Sequence, residues 1–104
     1  MSASEAAAYR RGREREIALL RDAIAKHTRL GLDTTTRLGA AAAGLPLDAY
    51  RLLVARVDSG LRLRAALPAD SSGPARAECA ELDSLRVELT VLRSRLDALR
   101  SQTP

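Results

Sequence analysis

The sequence predicts an all-α protein: a three-helix body followed by a long C-terminal helix, with room for a small β wing between them. Three observations carry that prediction. Leucines recur at three- and four-residue spacing from Leu82 to Leu99. An apolar stripe at Ile17, Leu20, Ile24 and His27, with Ala23 beside it, follows the period of a helix. Turn chemistry at Gly31, at Gly44-Leu45-Pro46, at Asp58-Ser59-Gly60 and above all in "PADSSGP" (68–74) cuts the chain into helix-length pieces.

The first helix is expected over residues 4–29, with Ser4 as N-cap and no proline to interrupt it. Gly12 weakens its early part. The basic stretch Arg10, Arg11, Arg13, Arg15 there reads either as a frayed arm touching phosphate or as a solvated helix end interleaved with Glu14 and Glu16. A second helix follows the turn at Gly31, capped by Asp33 or Thr34, whose side-chain oxygens accept from free N–H groups. It ends near Ala43, because Gly44 suits the left-handed residue that closes a helix. Pro46 fits the first turn of a third helix over 46–59, whose buried face is Tyr50, Leu53, Val54 and Val57. "LRLRAAL" (61–67) alternates apolar and basic residues. It is either a wing strand or a continuation of the third helix.

The C-terminal piece, 75–101, has the clearest pattern. Leu82, Leu85, Leu89, Leu92, Leu96 and Leu99 fill every a and d position of three heptads. With Leu82 at a, the g positions hold Glu81, Glu88 and Arg95, and the e positions hold Arg86, Arg93 and Arg100. A parallel pair sets Glu81 against Arg86 and Glu88 against Arg93 of the other chain, whereas an antiparallel pair opposes arginines. The ladder therefore predicts a dimerisation helix in a parallel homodimer. Folding back onto its own domain is the alternative, and Val87 and Val91, outside the seam, call for some extra packing. The expected organisation is a body at 4–67, a linker at 68–74 and the leucine helix at 75–101.

Composition narrows the class. The 104 residues include no Phe or Trp, so the core must be built mainly from Leu, Ala, Val and Ile. A chain this short buries little surface and often needs a staple or a partner. A disulfide within the chain is excluded, because Cys79 is the single cysteine; one thiol fits a reducing compartment. No apolar run reaches the ~20 residues that span a bilayer, and the N-terminus lacks the apolar core of a secretion signal. A cytoplasmic protein is expected. The net charge is +4, and 16 of the 17 basic residues are Arg, a usage that fits a bacterial genome rich in G and C. Residues 1–30 carry +3, 31–68 carry +2 and 69–104 carry −1, so the positive surplus lies on the body.

The stretch "TTTRLGAAAAGLPLDAYRLLVARVDSGLRLR" brings these signals together. Ala40 precedes Gly44 by four, Leu45 follows as a buried turn residue, and Tyr50 and Leu53 face inward. Over about residues 33–67 it resembles bacterial winged helix-turn-helix regulators, with Gly39 standing where those carry a bulky apolar residue. The resemblance implies a DNA-binding face made of Thr35, Thr36 and Arg37, with Thr34 beside them, Arg51 and Arg56 on the recognition helix, and Arg62 and Arg64 in a wing. Such residues hold phosphate; the first turn of the third helix, with Pro46, Leu47, Asp48 and Ala49, offers little to read bases.

Enzymatic chemistry lacks parts. His27 is the only histidine and sits on the apolar stripe, Cys79 reads as a small apolar filler, and the two lie on different elements. Together they make at most two ligands, too few for a metal site, and no glycine-rich phosphate loop or other cofactor signature is present. The expected function is double-stranded DNA binding by a homodimer, as a bacterial transcription regulator or a plasmid or mobile-element accessory factor. The alternative is a small helical adaptor that docks on another protein through its leucine helix.

Overall fold

The computed structural model describes residues 2–65 and 74–102, and the described residues form four helices with no strand among them: α1 (Ala3–Lys26), α2 (Leu32–Ala43), α3 (Leu47–Ala65) and α4 (Pro74–Gln102). The all-α expectation holds. No single helix among them is long and apolar enough to cross a membrane.

Each helix starts and stops for a local reason. Ser2, not Ser4, caps α1, its hydroxyl accepting from the Glu5 N–H at 3.1 Å. His27 closes α1 in the left-handed region (φ 48°), and the N–H groups of His27 and Thr28 donate to the carbonyls of Ile24 and Ala23. His27 is thus an exposed cap rather than part of the apolar stripe. Gly31 precedes α2 and no side chain caps that end, so the expected Asp33 or Thr34 cap is not made. Gly44 ends α2 at φ 75°, with its own N–H and that of Leu45 donating to Ala41 and Ala40. Across Gly44-Leu45-Pro46 the axes of α2 and α3 diverge by 93°.

α3 runs through Asp58-Ser59-Gly60, where a stop was expected. Leu61 extends the buried face of Tyr50, Leu53 and Val57 by one more turn, and burying it outweighs the modest cost of one helical glycine. Arg62 and Arg64 therefore sit on the last turns of α3, and residues 61–65 form no wing strand. Residues 66 and 67 of that expected wing, and the linker expected at 68–74 apart from Pro74, lie outside the described residues.

The largest revision concerns the leucine ladder. Leu82, Leu89, Leu92 and Leu96 are buried inside this chain. Leu82 joins Tyr9, Ala40, Tyr50, Leu53, Val57 and Leu61 in one core cluster; Leu89, Leu92 and Leu96 join Ile17, Leu20 and Ala23 in a second. Leu85 packs against both clusters. α4 lies along α1 in the same direction, as Arg10 meets Glu81 and Arg21 meets Glu88. The charges expected to pair between chains are met within one: Glu81 and Glu88 as just described, Arg93 on Glu16 at 2.6 Å, and Arg86 on Asp83 at 2.9 Å. While α4 stays docked, Leu82, Leu85, Leu89, Leu92 and Leu96 of the expected dimerisation seam face the chain's own core, and the leucine helix packs on the body. The reason is physical: a short all-helical core without Phe or Trp needs these leucines to close over the α1 stripe.

Replacing Leu92 with Ala should therefore lower stability by about 2 kcal/mol, the low end for a buried leucine because Leu92 borders an open groove with Ile24 and Val91. Urea unfolding would measure it. Light scattering should give the same particle mass for variant and parent, whereas loss of a dimer would restore the intermolecular seam.

Candidate functional site

Two features stand out: a buried polar network where the helices meet, and the outward face of α3. The network begins with two glycines. An added Cβ on Gly12 would fall 2.3 Å from a ring carbon of Tyr50, and one on Gly39 would fall 2.7 Å from Cγ of Glu16 and 3.0 Å from the Gly12 carbonyl. Their bare backbones let α1, α2 and α3 approach closely enough for Tyr50 and Glu16 to fill the space between. The absence of a side chain at Gly39 is thereby accounted for.

Glu16 is fully buried and is the hub. Its Oε1 accepts from Arg93 Nη2 at 2.6 Å and from Thr36 Oγ1 at 3.3 Å; its Oε2 accepts from Arg13 Nη1 at 3.2 Å and from the Tyr50 hydroxyl. Arg93 Nη2 also donates to Thr36 Oγ1 at 2.8 Å. A second carboxylate, Asp58, accepts from Tyr9 at 2.6 Å and from Arg13 Nη2 at 2.8 Å. The Arg13 guanidinium carbon lies 5.4 Å from the centre of the Tyr9 ring. The network ties α1, α2, α3 and α4 to one another, and a buried charge set of this kind holds only because each carboxylate meets a cation.

The electrostatics follow. Burial alone would lower the Arg13 guanidinium, but Glu16 and Asp58 more than offset that, and it is held above its ordinary value. Burial pushes both phenols well above their ordinary 10.0, helped at Tyr9 by the hydrogen bond to Asp58 and at Tyr50 by the charge and hydrogen bond of Glu16. The sign of the consequence is fixed. The unfolded chain releases these two protons from about pH 10 while the folded chain keeps them. Stability is therefore intact below pH ~10 and falls above it, by up to ~1.4 kcal/mol per pH unit for each tyrosine. Urea midpoints measured at about pH 9 and about pH 11 should show this loss, and Tyr9→Phe should roughly halve its slope.

The residues expected to bind DNA are not all on one surface. Thr35 is fully buried and its hydroxyl donates to the Leu32 carbonyl at 2.7 Å, so it cannot reach a ligand. Thr36 is half-buried and belongs to the Glu16 network. Arg37 and Arg51 are exposed and both pair with Asp33. Arg56 pairs with Glu5, and Arg64 approaches the Cys79 sulfur. The solvent-facing arc of α3 thus brings together Arg51, Arg56 and Arg62, with Asp48 at its start. Between the arginines stand Leu52 and Leu63, exposed at 73% and 70%.

The stretch Arg10–Arg15 is continuous helix rather than a frayed arm, and Arg11, Glu14 and Arg15 on it are exposed, as the solvated reading expects. Arg10 pairs with Glu81, Arg11 donates to the Ala43 carbonyl at the end of α2, and Arg13 is buried. The hub residues Arg13 and Glu16 were missed because charge suggested solvent. Their signal was position: Tyr9, Arg13, Glu16, Leu20 and Ala23 follow the three-four spacing of a buried face.

Among the described residues, no group of three or more His, Cys, Asp or Glu side chains could hold a metal ion. No family model, curated protein or solved structure matches the chain.

Proposed function

We propose that this chain binds double-stranded DNA through the outward face of α3, holding the phosphate backbone rather than reading bases. The observation that carries the reading is the near-perpendicular meeting of α2 and α3 across a three-residue glycine turn, with Arg51, Arg56 and Arg62 on the outer arc of the second helix. Two helices at such an angle, joined this tightly, are the arrangement in which a helix-turn-helix lays its second helix against a duplex. Arginine forks suit phosphate. The exposed pairs of Arg51 with Asp33 and Arg56 with Glu5 are worth at most about 1 kcal/mol each, so a duplex can draw the arginines away at little cost. Leu47, Asp48 and Ala49 supply no donor to a base edge, and Asp48 opposes close entry of the helix start.

Two unrelated duplexes of equal length should therefore bind with similar affinity in a fluorescence-anisotropy titration. Arg56→Ala should weaken both to the same extent. A strong preference for one duplex, untouched by this change, would mean that another surface binds.

A second reading is favoured by one observation, the exposure of Leu52 and Leu63 on the same arc. With the leucines of α4 spent inside the chain, an adaptor would dock its protein partner here. In that case Leu52→Asp removes binding and duplex affinity is negligible.

A further inference from the structure

α4 carries a second apolar seam on the side that faces away from the core. Leu82, Leu89, Leu92 and Leu96 line one side of the helix and are buried in this chain. On the opposite side Ala80, Ser84, Val87, Val91, Ser94 and Ala98 run at the same three- and four-residue spacing. All six are exposed, Val87 at 46% and Val91 at 50%. A helix that packs on its own body ordinarily carries charge on its outer face. Here the charges stand to the sides: Asp83 and Asp97 along one edge, Glu81, Glu88 and Arg95 along the other, and none on the stripe. An open groove between α1 and α4, lined by Ile24, Ala25 and Leu92, continues the apolar surface from Val91. The Ser84 hydroxyl donates to the Ala80 carbonyl at 3.0 Å, so it can be covered without being left unsatisfied.

We propose that this outer seam is the contact of a homodimer, in which α4 of a second copy lies antiparallel against it. The seam is complementary to itself. Turning the helix end for end at the level of Leu89 sets Val87 on Val91 of the second copy, Ser84 on its Ser94 and Ala80 on its Ala98. The largest side chains meet at the centre, and small ones let the backbones approach at both ends. The same rotation brings Glu81 beside Arg95 of the second copy, and Arg95 beside its Glu81. A parallel pair makes no such match: it opposes Asp83 to Glu88 of the second copy on both sides and leaves Arg95 against Thr90. Antiparallel pairing also brings Asp83 near Asp97, and Glu88 near its own counterpart at the axis. Arg86 already balances Asp83 within each chain, and Arg21 balances Glu88. The contact leaves the leucines in the core and stands apart from the reading of α3 as a duplex-binding face.

Sedimentation velocity of the full chain over a concentration series tests it. The parent should pass from monomer to dimer with a Kd in the micromolar range, the weak end expected of a narrow interface of small side chains. Val91→Glu places a charge from each chain in the middle of the seam and should raise the Kd by at least about tenfold. Val91 is exposed, so the variant should keep the circular-dichroism spectrum of the parent. A charge exchange tests the orientation. E81R alone and R95E alone each set like charges side by side and should each raise the Kd by about two- to five-fold, the worth of exposed pairs. The E81R/R95E double change should bring it back. In a parallel pair the two positions lie about 20 Å apart along the seam, and no rescue occurs. A parent that stays monomeric at every concentration, a dimer that survives Val91→Glu, or single changes that the double change does not rescue would overturn the proposal.

Discussion

Replacing Glu16 with Gln should cost the fold about 3–5 kcal/mol, the penalty for leaving buried cations without their counter-charge. Gln keeps the shape but not the charge that balances Arg13 and Arg93, which reach Glu16 at 3.2 and 2.6 Å. Its amide NH₂ would also face donors, since Arg13, Arg93, Thr36 and the Tyr50 hydroxyl all donate to this carboxylate. A small domain holds only about 5–15 kcal/mol in total, so the variant should sit close to unfolding at room temperature. Urea denaturation measures the loss. Adding Tyr50→Phe to Glu16→Gln should cost less than Tyr50→Phe alone, because the hydroxyl has already lost its charged acceptor. A loss under about 1 kcal/mol would mean that the site admits water and that the network does not hold the helices together.

Gly12→Ala should destabilise by about 3 kcal/mol, against the usual trend, since Ala normally favours a helix over Gly by up to ~1 kcal/mol. The added methyl would meet the Tyr50 ring, which is fully buried and bonded to Glu16 and so cannot step aside. Gly60 gives the control. It also lies inside a helix, but nothing among the described residues stands within 4 Å of the methyl it would gain. Gly60→Ala should therefore stabilise by about 0.5–1 kcal/mol. Opposite signs from the same chemical change in two helices would show that close packing, not propensity, decides at Gly12. Stabilisation at both would place Tyr50 elsewhere.

What the sequence revealed and what it hid divide along physical lines. Helix content, the turn at Gly44 and the inward face of α3 were legible, because period and turn chemistry act locally: Tyr50, Leu53 and Val57 are buried where expected. The destination of the leucine ladder was not legible. A three-four repeat of leucines satisfies a partner chain and the chain's own α1 stripe equally well, and only the tertiary arrangement chooses. The end of α3 was misplaced for a similar reason. Asp58-Ser59-Gly60 looks like a stop, but Asp58 has a tertiary role as the acceptor for Tyr9 and Arg13, and Leu61 beyond it is core. At the candidate site, the arginines of α3 were named through the resemblance to winged helix-turn-helix regulators, which put Arg51 and Arg56 on the third helix and Arg62 and Arg64 in a wing. Glu16 and Arg13 were not, since burying an ion is costly and their charge outweighed the three-four spacing they share with Tyr9, Leu20 and Ala23.

The dependence of duplex affinity on salt tests the central functional claim most directly. Binding through phosphate contacts makes log affinity fall linearly with log salt, at about 0.9 per contact. Replacing Arg56 and Arg62 together by Ala should flatten that slope by about two units for each bound chain, while leaving stability nearly unchanged because both side chains are exposed. A salt response that is flat from the outset, or a slope that these two changes leave intact, would contradict duplex binding by α3.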